Sequence, residues 1–150
     1  MIANRVNNIK PSFTLEMATK AAEMRSEGID VINFSVGEPD FNTPKHICDA
    51  AKNAIDSGYT KYTAGPGMIE ARQAICKKLE RDNGLYYNPD NVLISNGEKQ
   101  SLFTACQALF NPGDRVIVFT PYWVSFPEFV RMADAEPVLI NTLANNNYEP

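Results

Sequence analysis

Between the turn Asn111-Pro112-Gly113-Asp114 and the pair Thr120-Pro121 lies an unbroken apolar run, Val116 to Phe119. No polar residue alternates with the apolar ones, as expected of a strand covered on both faces. Such a strand belongs in a parallel sheet between helices, and its neighbours agree. Val92 to Ser95 reads as a strand, and Lys99 to Phe110 as a helix with Leu102, Phe103, Cys106, Leu109 and Phe110 inward. Tyr122 to Ala133 is predicted helical and Pro137 to Ile140 extended. Strand and helix in alternation predict parallel pairing through right-handed crossovers. Three strands would leave open edges and faces. The polar stretch Ala144 to Pro150 therefore reads as a connection to further elements.

The first half is richer in helix. Leu15 to Ser26 is predicted helical, with Gly28 placed to end it. Val31 to Ser35 reads as a short strand, and Gly37-Glu38-Pro39-Asp40 as the loop after it. Thr43 is expected to cap the next helix with Pro44 in its first turn. Ile47, Ala50, Ala51, Ala54 and Ile55 form one face of that helix, and Gly58 ends it. A loop from Tyr59 to Gly67 leads to a helix from Met68 to Asp82, closed by Asn83-Gly84.

Composition narrows the partners. With 44% apolar and 21% charged residues in 150, the chain can bury a core. A net charge of −4 gives no sign of a nucleic acid or an anionic membrane as partner, either of which would want a basic surface. No apolar run is long enough to span a bilayer, and the first fifteen residues lack a signal-peptide core. Cys48, Cys76 and Cys106 form no C-x-x-C pair and are expected as small core residues with reduced thiols, which favours the cytosol. His46 is the only histidine and reads as structural, so no metal site or Ser–His triad is expected.

Four segments could carry chemistry. At Ile94-Ser95-Asn96-Gly97-Glu98-Lys99-Gln100 a strand passes through a glycine into a helix. Amide N–H groups at a helix start bind phosphate, aided by the helix dipole. Neither a P-loop nor a dinucleotide fingerprint is present, so taken by itself the segment reads more readily as an ordinary strand–helix turn. Thr120-Pro121-Tyr122-Trp123 follows the apolar strand, where open α/β sheets bind ligands. Its indole, the only one in the chain, suits either stacking on a flat heteroaromatic ring or covering the sheet end. Val36-Gly37-Glu38-Pro39-Asp40-Phe41 could offer an amide to a carboxylate or simply turn the chain. Lys61-Tyr62-Thr63, beside Gly65-Pro66-Gly67, could carry a phenol to a phosphate or pack as a surface loop.

The order and spacing of these segments are more specific than any one of them. Lys10-Pro11-Ser12, Gly37-Glu38-Pro39-Asp40-Phe41, Lys61-Tyr62, Asn96-Gly97-Glu98-Lys99-Gln100, Pro112-Gly113-Asp114 and Pro121-Tyr122-Trp123-Val124-Ser125 follow one another. Together they resemble class I, fold-type I, pyridoxal-phosphate-dependent aminotransferases, most nearly the bacterial-type aspartate aminotransferase branch. The resemblance runs from about Arg5 to Pro150. It implies the N-terminal part of an α/β fold, with residues 1–45 as arm and small-domain segment and 46–150 as the first part of the large cofactor domain. Gly97, Glu98 and Lys99 would meet the cofactor phosphate, mainly through backbone N–H groups. Trp123 would stack on the pyridine ring and help hold substrate, and Tyr62 would reach the phosphate in a neighbouring subunit. Gly37 would bind the substrate α-carboxylate. Ser12 and Lys99 would face the side-chain carboxylate of a dicarboxylic substrate. Glu98 departs from the small residue expected there.

The same resemblance implies an amino acid, aspartate first, and a 2-oxo acid, 2-oxoglutarate, as substrates of a homodimer. It places the Schiff-base lysine, the carboxylate at the pyridine nitrogen and the substrate-clamping arginine past Pro150. The chain by itself is therefore expected to be inactive. Alternatives are an aminotransferase for aromatic amino acids or alanine, a non-catalytic fragment that binds a partner, and a small nucleotide-binding module.

Overall fold

The structure, a computed structural model, describes residues 2–35 and 37–150. It divides into two compact units, one of residues 1–38 and 99–150 and one of residues 39–98.

In the first unit the strand β1 (Arg115–Thr120), the helix α5 (Phe126–Met132) and the strand β2 (Glu136–Asn141) form a β-α-β unit. The strands pair in parallel, from Arg115 against Glu136 to Thr120 against Asn141. The turn before β1 is closed by the Asp114 N–H to the Asn111 carbonyl at 3.1 Å and by the Asn111 N–H to the Asp114 carboxylate at 2.7 Å. The crossover is tied at both ends of the sheet. The Glu136 N–H meets the Asp114 carbonyl at 2.8 Å, and both the Thr142 N–H and hydroxyl donate to the Thr120 carbonyl. Buried Val118, Phe129, Val130, Ala133 and Ala135 make the core.

The expected cover on both faces of β1 is not found. Val116, Val118 and Thr120 turn inward, while Ile117 and Phe119 stay 60% and 47% exposed. Successive strand residues point to opposite faces, and among the described residues no layer covers the second face. The helix predicted from Tyr122 to Ala133 is also shorter. Pro127 has no N–H to give and stands in the first turn, so the helix starts around it. The Phe126 N–H closes a turn onto the Trp123 carbonyl at 3.0 Å just before.

The same unit holds a 3-10 turn (Asn4–Asn8) and the helix α1 (Phe13–Ser26). The Ser12 carbonyl accepts from Leu15 and Glu16 at 3.0 and 3.1 Å, so α1 opens two residues before its predicted start. Val31 to Ser35 is no strand. Asn33 Oδ1 accepts from both the N–H and the hydroxyl of Ser35, at 2.9 and 2.6 Å. That local turn competes with a sheet ladder.

The second unit carries α2 (Lys45–Asp56) and α3 (Ile69–Asn83). Pro44, not Thr43, takes the capping position of α2, and no side chain caps it. Gly84 ends α3 in the left-handed conformation, φ 66°, with its N–H on Glu80 and the Leu85 N–H on Leu79. Val92 to Ser95 is not a strand either. The Ile94 N–H reaches across to the Pro66 carbonyl at 3.0 Å, while Val92 donates locally to Pro89 and Ser95 accepts locally from Gly97, and these bonds do not form a ladder. The expected three-stranded sheet is thus two-stranded among the described residues. The helix α4 (Gly97–Leu109) opens at the division between the units. The three cysteines are free and half-buried rather than core, and His46 is exposed on α2. No helix among the described residues is long and apolar enough to cross a membrane.

Candidate functional site

Lys99 lies in the first turn of α4, and Trp123 in the turn between β1 and α5. The Lys99 ammonium sits over the indole, 5.0 Å from its centre. Phe126 and Phe129 set their rings edge-on to the same indole, at 5.5 and 6.0 Å between centres and 88° and 65° between planes. Edge-to-face packing orients a ring, and a cation is attracted to its face. Trp123 still keeps 40% of its surface exposed. An oriented, half-open indole with a cation beside it suits a flat anionic ligand.

Beside it lies a cavity of about 420 Å³, lined by Lys10, Ser12, Lys99, Tyr122, Glu128 and Arg131 among others. Three cationic residues face one carboxylate there, so the excess is positive and favours an anion. Glu128 is taken up by neighbours, accepting from Arg131 Nη1 at 2.5 Å and from the Lys10 N–H at 3.2 Å. Ser12 contributes a hydroxyl 2.9 Å from that of Thr14.

Three of the residues singled out in the sequence, Ser12, Lys99 and Trp123, therefore meet in the first unit. Gly37 lies in an exposed loop of that unit, and its neighbour Val36 is outside the described residues. Gly97, at φ 78°, and Glu98 are exposed at the opening of α4. A side chain at Gly97 would meet nothing within 4 Å, so there is open space at the helix start. Tyr62 belongs to the second unit. It is fully exposed and lines a cavity of about 430 Å³ with Tyr59, Lys61, Thr63, Met68 and Arg72. Among the described residues no cluster of histidine, cysteine and carboxylates could hold a metal.

Glu128 and Arg131 were not singled out from the sequence. A Glu and an Arg three residues apart on one helix were legible as a pair. That the pair closes a cavity wall was not, because the N-terminal segment that completes the wall is more than a hundred residues away.

The family model for aminotransferase class I and II matches residues 29–150. The chain belongs to that family. It is 47% identical over 149 residues to an aspartate aminotransferase of Bacillus sp. (strain YM-2), covering 99% of this chain and 38% of the relative. It is 48% identical over 141 residues to an aspartate/prephenate aminotransferase of Nitrosomonas europaea, covering 94% and 36%. Among solved structures, the aspartate aminotransferase from Thermus thermophilus with maleate superposes with a TM-score of 0.95 at 43% identity, over 100% of this chain and 39% of that one. An alanine aminotransferase from Pyrococcus furiosus reaches 0.92 at 27% identity. The fold is thus part of the fold-type I aminotransferase fold. The chain spans about 38% of the length of the Bacillus relative.

The cofactor of this family is pyridoxal phosphate. Within the first unit the residues present suit such a group: the half-open Trp123 indole offers a face to a flat ring, and the Lys99 ammonium beside it favours an anion.

Proposed function

We propose that the protein of which this chain is part transfers an amino group between aspartate and 2-oxoglutarate with pyridoxal phosphate. The observation that carries it is Lys99, which lies over the Trp123 ring and lines one cavity with Ser12. A single lysine is then shared between a place for the cofactor and a place for a substrate carboxylate. Relatives at 46–47% identity bearing the name aspartate aminotransferase support the same reading.

Bound pyridoxal phosphate supplies an electron sink. The residues of this chain bind and orient. The first turn of α4, at Gly97, Glu98 and Lys99, offers amides to the phosphate, the Glu98 side chain turning to solvent. Trp123 fixes the plane of the pyridine ring. Ser12 and Lys99 hold the distal carboxylate of the substrate, and the Gly37 amide holds its α-carboxylate. Full exposure of Tyr62 suits a phenol handed to a second subunit of a homodimer. Residues 1–45 serve as arm and small-domain segment, and 46–150 as the first part of the large domain. No lysine of the 150 follows a serine directly, the context expected of the Schiff-base lysine, so the chain alone is inactive. Unpaired cysteines suit the cytosol.

A second reading, a branch that also takes prephenate, is favoured by the names of relatives from Petunia hybrida and Nitrosomonas europaea at 46% and 48% identity. Amino transfer by the full-length protein, measured with aspartate, alanine, an aromatic amino acid and prephenate, tests both. Aspartate is expected to lead. Alanine or an aromatic amino acid in front would overturn the assignment.

A further inference from the structure

The N-terminal segment is fastened to α5 at two points. Arg5 Nη1 donates to Asp134 Oδ2 at 2.8 Å, two residues past the end of the helix. The Lys10 N–H donates to Glu128 Oε2 at 3.2 Å, in its first turn. These two fastenings differ in strength. The Arg5 and Asp134 side chains are 49% and 42% exposed, and ion pairs so open to water hold little. Glu128 keeps 17% of its side-chain surface, and its second oxygen is occupied by Arg131 at 2.5 Å. Water competes weakly there, and both bonds to the carboxylate are charge-assisted. Glu128 thus joins a backbone amide of the arm to a guanidinium of its own helix.

The consequence lies two residues on. Pro11 has a fixed φ and passes the restraint at Lys10 to Ser12. Ser12 starts α1 with its carbonyl and lines the same cavity as Lys99. We propose that Glu128 is a positioning residue: by holding the Lys10 N–H it sets Ser12 opposite Lys99, and so sets the preference for a substrate with a second carboxylate. The proposal rests on the reading of Ser12 and Lys99 given above. Small displacements of a binding group have large effects on reaction, so a loosened arm acts on selectivity rather than on folding alone.

Glu128→Ala and Glu128→Gln are compared with the parent protein, full-length and loaded with cofactor, beside Ser12→Ala and Lys99→Ala. Two quantities are read: amide hydrogen exchange at Ile9, Lys10 and Ser12, and the ratio of kcat/KM for aspartate to that for alanine. Glu128→Ala is expected to speed exchange and to lower the ratio, each about tenfold, the order for loss of a charge-assisted hydrogen bond. Glu128→Gln keeps an acceptor oxygen for Lys10 and gives an intermediate ratio; it also serves if the alanine variant does not fold. Unchanged exchange, or an equal loss with both donors, overturns the proposal. If Ser12→Ala and Lys99→Ala lower the ratio and the Glu128 variants do not, the proposal alone falls. If those two leave the ratio unchanged, the reading beneath it falls and takes the proposal with it.

Discussion

The ammonium of Lys99 stands 5.0 Å from the centre of the Trp123 ring, joining the first turn of α4 to the turn after β1. A cation held over an aromatic face at an exposed site is worth about 0.5–1 kcal/mol. It also keeps positive charge beside the ring on which the cofactor is proposed to lie.

Replacing that ring removes a stacking surface. Trp123→Ala is expected to weaken pyridoxal phosphate binding by about 0.5–1.5 kcal/mol beyond the lost area, and Trp123→Phe by less. Equilibrium dialysis of the full-length protein reads the difference. Equal affinity in all three proteins removes the stacking role.

Two glycines of the second unit separate backbone strain from crowding. Both have positive φ, 66° at Gly84 and 100° at Gly67. A Cβ at Gly84 meets nothing within 4 Å, whereas at Gly67 it comes 2.9 Å from Ile94 Cβ. Gly84→Ala is expected to cost about 1 kcal/mol, from conformation alone. Gly67→Ala adds about 1–3 kcal/mol for a β-carbon that cannot move aside. Urea unfolding of the two variants checks the order; a smaller loss at Gly67 contradicts the geometry.

Arg72 and Asp90 are an unequal pair. Arg72 keeps 10% of its side-chain surface and donates Nη1 to the Pro89 carbonyl at 2.9 Å, while Asp90, 3.6 Å away, is 85% exposed. Its Nε is buried without a partner among the described residues, which offsets part of the gain. Arg72→Ala is expected to cost about 2–4 kcal/mol through lost packing and an unpaired carbonyl. Asp90→Ala should stay within about 0.5 kcal/mol, because water screens that side of the pair. Matching losses in the two variants would assign the stability to the ion pair instead.

Cys106 faces an apolar pocket with Leu102, Phe110, Val118 and Phe129. Burial pushes its thiol above the ordinary value of 9.0. The neutral form is the one favoured by folding. Its contribution is therefore complete below the unfolded-chain value and is lost as pH rises through the raised one. Alkylation of Cys106, followed by mass spectrometry, is expected to accelerate with a midpoint above pH 9.0. A midpoint at or below that value shows the pocket to be wetter than the structure has it.

Much of this was legible in the chain. Glycines at 28, 58 and 84 end helices where a turn residue was expected, and the Asn111–Asp114 turn delivers β1 in place. The parallel pairing of β1 with β2 followed from the helical pattern between them. Less legible were Val31–Ser35 and Val92–Ser95. Their composition suits a strand, yet a strand exists only through the ladder on its neighbour. Asn33 draws one segment into a local turn, and the other bonds to Pro66 through Ile94 without a strand beside it.

By itself the sequence determined most of the helices, the turns and the β-α-β order, because each rests on residue spacing over short stretches, while the family showed in the resemblance of motifs along the whole chain. Only the tertiary structure decided that Lys10 bonds to Glu128, that Ser12 and Lys99 line one cavity, and that one face of β1 stays open. Those are contacts between segments far apart in the chain. No local preference fixes them; packing, desolvation and the geometry of each donor and acceptor do.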